Sequence, residues 1–89
     1  MAKPIGADRK RTAENLATSL GAELTRLRTA QGWSQVKLSH LVGYDEGYIR
    51  ALERGTKSPT LRTLSNLAAA FRIPLWSLIK RAEQKLSRS

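Results

Sequence analysis

Leu16, Leu20, Leu24 and Leu27 recur at steps of four, four and three residues, the spacing that aligns side chains along one stripe of an α-helix. The same periodicity returns after each of a series of breaks, and no segment alternates as a strand would. The breaks have the chemistry of helix ends. Gly32 can take the left-handed conformation that follows a helix near Gln31, and Ser34 offers a hydroxyl to the exposed N–H groups of the next one. A short second helix over Gln35 to Val42, with Val36, Leu38, Leu41 and Val42 partly buried, stops at Gly43. Asp45 caps a third over Glu46 to Arg54, in which Ile49 and Leu52 point inward and Glu46, Arg50 and Arg54 share another face; Gly55 ends it. After the turn TKSPT, the residues Leu61, Leu64, Leu67, Ala68 and Phe71 mark a fourth helix beginning past Thr60, and Pro74 opens a fifth with Leu75, Leu78, Ile79 and Ala82 on its apolar side. The pattern predicts an all-α, five-helix fold.

With 89 residues, one domain is expected, since two shorter halves would each bury too little surface. It is placed at 12–86, behind a mobile basic arm at 1–11 and ahead of a frayed tail at 87–89. The chain has no cysteine, so neither disulfides nor thiolate-bound metals can staple it, and helix packing must supply the core. No apolar run approaches the roughly 20 residues of a membrane span. The charged N-terminus is followed by no apolar signal core, so a soluble protein of the cytoplasm, associated with the nucleoid, is expected. Sixteen Lys and Arg against seven Asp and Glu leave a net charge of +9. Such an excess favours polyanionic partners, although a small basic protein also gains solubility from it.

The segment QVKLSHLVGYDEGYIRALER joins two short helices through a tight glycine turn. A B-form major groove is about 12 Å wide and admits one helix, whose N-terminal side chains reach base edges while the preceding helix crosses the backbone. WSQ at the start of helix two, Gly43 in the turn, the run YIRALERG and the helix SPTLRTLSNLAAAF together resemble the lambda-repressor and Cro-like helix-turn-helix regulators, over about three quarters of the chain. Restriction-modification controller proteins and stand-alone repressors are similar in length. The resemblance implies a bacterial transcriptional regulator that binds double-stranded DNA as a homodimer, with the helix-turn-helix at helices two and three and half-sites one helical turn apart.

Carried over by residue, the resemblance implies a phosphate grip for Gln35 and base reading for Glu46, Gly47, Arg50 and Ala51. Gly47 departs from the family pattern, in which longer hydrogen-bonding side chains stand there. Reading therefore shifts to Arg50, suited to guanine, to Glu46, suited to the cytosine amine, and to a methyl contact from Ala51. Tyr48, Arg54, Thr56, Lys57 and Thr60 fall at sugar-phosphate positions. Plainer readings stand beside these: Glu46 and Arg50 as a surface ion pair, Tyr48 as a ring packed on helix two, and Gln35 as a solvated helix-start residue. Arg28 and Glu53 match an internal ion pair beneath the reading helix. The family's apolar pattern in helix five implies that Leu75, Leu78 and Ile79 turn inward and Trp76 outward, which marks Leu75, Trp76 and Ile79 as a dimer interface, against a tryptophan folded over its own helix. Trp33 is read as core or as a hydrophobic staple.

Catalysis has little to stand on. His40 is the single histidine, without a metal-ligand partner at helical spacing, and there is no phosphate-binding glycine loop. No cofactor, metal or small-molecule substrate is expected. The rival to a regulator is an antitoxin or another protein-binding module on the same fold. RNA binding lacks an exposed aromatic platform. The basic arm is suited to an adjacent minor groove or to solvent.

Overall fold

The computed structural model describes the backbone of residues 5–87 and the side chains of residues 13–86. Five helices follow one another: α1 (Ile5–Ala30), α2 (Gln35–Val42), α3 (Glu46–Arg54), α4 (Leu61–Ala70) and α5 (Leu75–Ser87). Among the described residues there is no strand. Each helix sends at least one fully buried aliphatic side chain to a shared core: Leu24 from α1, Leu38 from α2, Ile49 and Leu52 from α3, Leu67 from α4 and Leu78 from α5. Burial of a side chain of this kind stabilises by about 1.5 to 3 kcal/mol. Trp33 closes one edge of the core by stacking on Phe71, with ring centroids 5.7 Å apart.

The caps act where the chain chemistry puts them. Ser34 Oγ accepts from the Lys37 N–H at 3.0 Å, and Thr60 Oγ1 from the Thr63 N–H at 3.1 Å. Asp45 accepts from the Gly47 N–H at 2.9 Å. Gly43 and Gly55 both take φ of 75°, ending α2 and α3 in the left-handed region.

Three features differ from the sequence-based expectation. First, α1 begins at Ile5, so the backbone of residues 5–11, assigned to a mobile arm, is helical. The stretch after Pro4 contains Ala7, Arg9, Lys10 and Arg11, all good helix formers, which outweigh the single Gly6. The arm's remaining residues and its side chains, like residues 88 and 89 of the tail, lie outside the described residues. Second, α5 runs through Ser87, the first residue of the tail assigned to fraying. Third, Val36 and Leu41 are 42% and 47% exposed, and it is Ser39, donating its hydroxyl to the Val36 carbonyl at 2.7 Å, that joins Leu38 on the buried side of α2. An eight-residue helix makes just over two turns, too few for its apolar pattern to fix which line of residues faces the core.

The placement of α3 depends on α1, which packs on both α3 and α5. Gly21 and Gly55 make the α1–α3 crossing close. A Cβ built on Gly21 would lie 2.4 Å from the Glu53 carbonyl oxygen and 2.5 Å from that of Leu52, and one on Gly55 would lie 2.7 Å from Thr18 Cα. Backbone meets backbone there, so α1 fixes the depth at which α3 sits. On its other side α1 is tied to α5 by the Ser19 hydroxyl, which donates to the Ala82 carbonyl, and by Glu23. That carboxylate is buried, is bound by Arg26 and lies 3.9 Å from Arg81. Its hydrogen bond from Arg26 holds it below the usual carboxylate range against the opposing effect of burial.

Candidate nucleic-acid interface

The turn between α2 and α3 sets the angle of the pair. Gly43 donates its N–H to the Ser39 carbonyl at 2.9 Å, Tyr44 donates to the same oxygen at 3.1 Å, and Asp45 then starts α3. Ile49 and Leu52 anchor one side of α3 in the core, so Glu46, Arg50 and Arg54 are carried at steps of four along the opposite side, with Gly47 and Ala51 beside them. Arg54 is exposed, and Glu46 and Arg50 are 42% and 43% exposed at the side chain. The Arg50 Nη1 donates to Glu46 Oε1 at 2.8 Å.

Beneath this face, Arg28 and Glu53 meet in a two-pronged pair: Arg28 Nε donates to Glu53 Oε2 at 2.7 Å and Nη2 to Oε1 at 3.1 Å. Their side chains are 13% and 6% exposed. The third guanidinium nitrogen donates to the Trp33 carbonyl at 2.8 Å, and Gln35 Nε2 donates to Glu53 Oε1 at 2.9 Å. Burial pushes the Glu53 carboxyl up, but the hydrogen bonds from Arg28 and Gln35 and the Arg28 charge outweigh it and hold the group below its usual value. One carboxylate thereby joins α1, the start of α2 and the end of α3, and fixes the helix-turn-helix from behind.

The remaining residues of the predicted site surround α3. Gln35 is half-buried and spends one of its two amide N–H donors on Glu53. Tyr48 is also half-buried; its ring packs edge-on against Tyr44 at 5.5 Å, its hydroxyl lies 3.4 Å from Thr63 Oγ1, and Lys57 Nζ stands 5.9 Å from its ring centre. Tyr48 thus packs on the turn and on α4. Thr56 and Lys57 are exposed beyond the end of α3, with Thr56 Oγ1 donating to the Ala51 carbonyl at 3.2 Å. Thr60 caps α4. The structure brings Gln35, Tyr48, Arg54, Thr56, Lys57 and Thr60 into or beside the α2–α3–α4 unit, whereas Leu75, Trp76 and Ile79 stand apart on α5. Leu75 and Ile79 are half-buried, while Trp76 is 65% exposed with Lys80 Nζ 5.8 Å from its ring centre.

Tyr44 is a residue that sequence reasoning passed over. Its hydroxyl accepts from Asn66 Nδ2 at 2.8 Å, and hydrogen bonds with Thr63 and Asn66 lower its pKa. It ties the turn to α4, and its place directly after the turn glycine was the available signal. Gly21 was also passed over, because a glycine inside an otherwise regular leucine stripe announces a close approach without naming its partner. Among the described residues, no group of three or more His, Asp or Glu side chains is arranged to hold a metal ion, and no helix is long and apolar enough to cross a membrane.

Comparison with known proteins agrees with this geometry. A helix-turn-helix family model matches residues 24–75, from the middle of α1 to the start of α5. Over 66 residues the chain is 35% identical to the HTH-type transcriptional regulator SutR of Escherichia coli strain K12; the match takes in 74% of this chain and 37% of SutR, so the chain spans little more than a third of that protein. The restriction-modification controller protein C.AhdI of Aeromonas hydrophila superposes with a TM-score of 0.67 at 37% identity, over 70% of this chain and 94% of the controller. The clp gene regulator ClgR of Corynebacterium glutamicum superposes with a TM-score of 0.77 at 25% identity, over 82% of this chain and 78% of ClgR. Five helices in the lambda-repressor-like arrangement, an outward polar stripe on α3 and these relatives lead to one statement: the chain belongs to the helix-turn-helix family of DNA-binding transcriptional regulators.

Proposed function

We propose that the protein is a sequence-specific regulator that binds a pseudo-palindromic operator as a homodimer, each protomer laying α3 in the major groove. The observation that carries this reading is the polar stripe of Glu46, Arg50 and Arg54, which faces solvent while the opposite side of the same helix is locked into the core. Arg50 takes a guanine edge, and Glu46, Gly47 and Ala51 line the same approach. Gln35, with its second amide N–H, and Tyr48, Arg54, Thr56, Lys57 and Thr60 supply the phosphate contacts that set register and not sequence. The net charge of +9 supports the polyanionic partner.

Support for the homodimer lies in α5. An indole that is 65% exposed beside the half-buried Leu75 and Ile79 presents the aromatic anchor typical of protein interfaces. Trp76→Ala should shift the protein to monomers on a sizing column, and an unchanged elution volume counts against this interface. DNA reading is tested by selecting bound sites from random duplexes and competing them in gel shifts. A selected site should outcompete bulk DNA by about a thousandfold or more, and Arg50→Ala should erase the preference at one base pair of each half-site. Binding that collapses with competitor DNA for every sequence would reduce the protein to a general polyanion binder.

A further inference from the structure

The family resemblance implies that Glu46 and Arg50 are two readers, one for cytosine and one for guanine. The geometry points to a different division, and rests on the reading that α3 enters the groove: we propose that Arg50 alone reads, and that Glu46 is its positioning residue, with Gly47 empty so that the arginine can lie beside it.

Three observations carry this. The Arg50 guanidinium folds back toward the start of α3 and reaches the Glu46 carboxylate at 2.8 Å. It lies beside Gly47: a Cβ there would stand 3.8 Å from Arg50 Nη2, ordinary contact distance, so a long side chain directed toward the arginine would compete for the guanidinium's space. The same Cβ would lie 2.9 Å from Asp45 Oδ2, the atom that caps the Gly47 N–H. Position 47 thus lies between the cap and the arginine, and a long side chain there would compete with both.

The electrostatics point the same way. Asp45 and Glu46 put two carboxylates at the end of α3 nearest the bases, where the phosphates of both strands repel them. Asp45 is committed to the helix cap. Glu46 becomes tolerable in the groove when its charge is cancelled by Arg50, and the pair strengthens as DNA excludes the water that screens it in the free protein. A guanidinium held on one edge by a carboxylate is a planar fork with a fixed direction, and its other N–H groups remain for O6 and N7 of a guanine. Once the groove has excluded water, the pair holds the long arginine in one direction and lowers the cost of ordering it.

The test compares site selection and salt dependence for the wild type, Arg50→Ala, Glu46→Gln and Gly47→Gln, each checked first for an intact helical circular dichroism spectrum. Arg50→Ala identifies the base pair that Arg50 reads. Glu46→Gln should lose discrimination at that same pair by about tenfold. Its affinity for random DNA should rise, and the slope of log affinity against log salt should steepen by about one, because a cation has been released. Gly47→Gln should lose the same preference. If Glu46→Gln keeps the Arg50 preference and loses a different base pair, Glu46 is an independent reader and the proposal falls. If Gly47→Gln keeps that preference, the role assigned to the empty position is overturned. If Arg50→Ala changes no position, the α3 reading itself fails and this inference falls with it.

Discussion

The helix α3 takes part in two glutamate–arginine pairs, one that joins it to α1 and one within the helix itself. At its C-terminal end, Glu53 is 6% exposed and bound by Arg28 and Gln35, across three elements. At its N-terminal end, Glu46 and Arg50 lie on adjacent turns of a single helix and are both more than 40% exposed. In the first pair the charges are desolvated and must find partners, so the contact is specific and its loss is severe. In the second, water competes for every donor, and the pair contributes little to stability until another molecule displaces that water. One end of α3 is thus held by the fold and the other is left open to solvent.

This contrast can be broken most sharply at the buried end. Glu53→Ala strands the Arg28 guanidinium and one Gln35 donor, and should destabilise the fold by about 3 to 5 kcal/mol, lowering the melting temperature by more than about 12 °C. A melting curve that does not move would mean that the pair is not structural. Next in size is Gly21→Ala, where a new methyl group meets carbonyl oxygens of Glu53 and Leu52 at 2.4 and 2.5 Å. The backbones must separate, and a cost of about 1 to 3 kcal/mol is expected in urea melts.

Acid should expose the same end more gently. Because the folded-state pKa of Glu53 lies below that of an unperturbed glutamate, the stability it supplies is complete above the ordinary glutamate range and is lost as the pH falls through the folded value. Glu23 behaves in the same sense. Melting temperatures followed downward from pH 5 should therefore drop more steeply in the wild type than in Glu53→Gln, which has no proton to take up at that position. Equal slopes would show that Glu53 is not held ionised. The smallest effect belongs to the exposed end: Glu46→Ala should change stability by no more than about 0.5 kcal/mol in the same melts.

The two ends also differ in how far the amino-acid sequence disclosed them. Helix number and most boundaries were readable because Ser34, Gly43, Asp45, Gly55, Thr60 and Pro74 are local signals whose chemistry acts within a few residues. The outward stripe of α3 was readable for the same reason, since Glu46, Arg50 and Arg54 lie on one helix. The ties behind α3 are long-range. Arg28 and Glu53 were named from family resemblance, not from spacing, and nothing in the pattern indicated that Gln35 would join them or that Gly21 would touch the carbonyls of Leu52 and Glu53. Val36 and Leu41 were misplaced because α2 is too short for its periodicity to choose a buried face. Glu23, a carboxylate buried between α1 and α5, had no local mark at all.

The central claim is that the free end of α3 enters DNA with Arg50 as its reader while the buried end holds the helix rigid. Its most direct test is a crystal structure of the protein on a selected operator half-site pair. The account predicts the Arg50 guanidinium on O6 and N7 of one guanine in each half-site, with Glu46 still bound to it and the Arg28–Glu53 pair unchanged. A complex in which Arg50 lies on phosphate or in solvent, with the bases contacted from elsewhere, would contradict it.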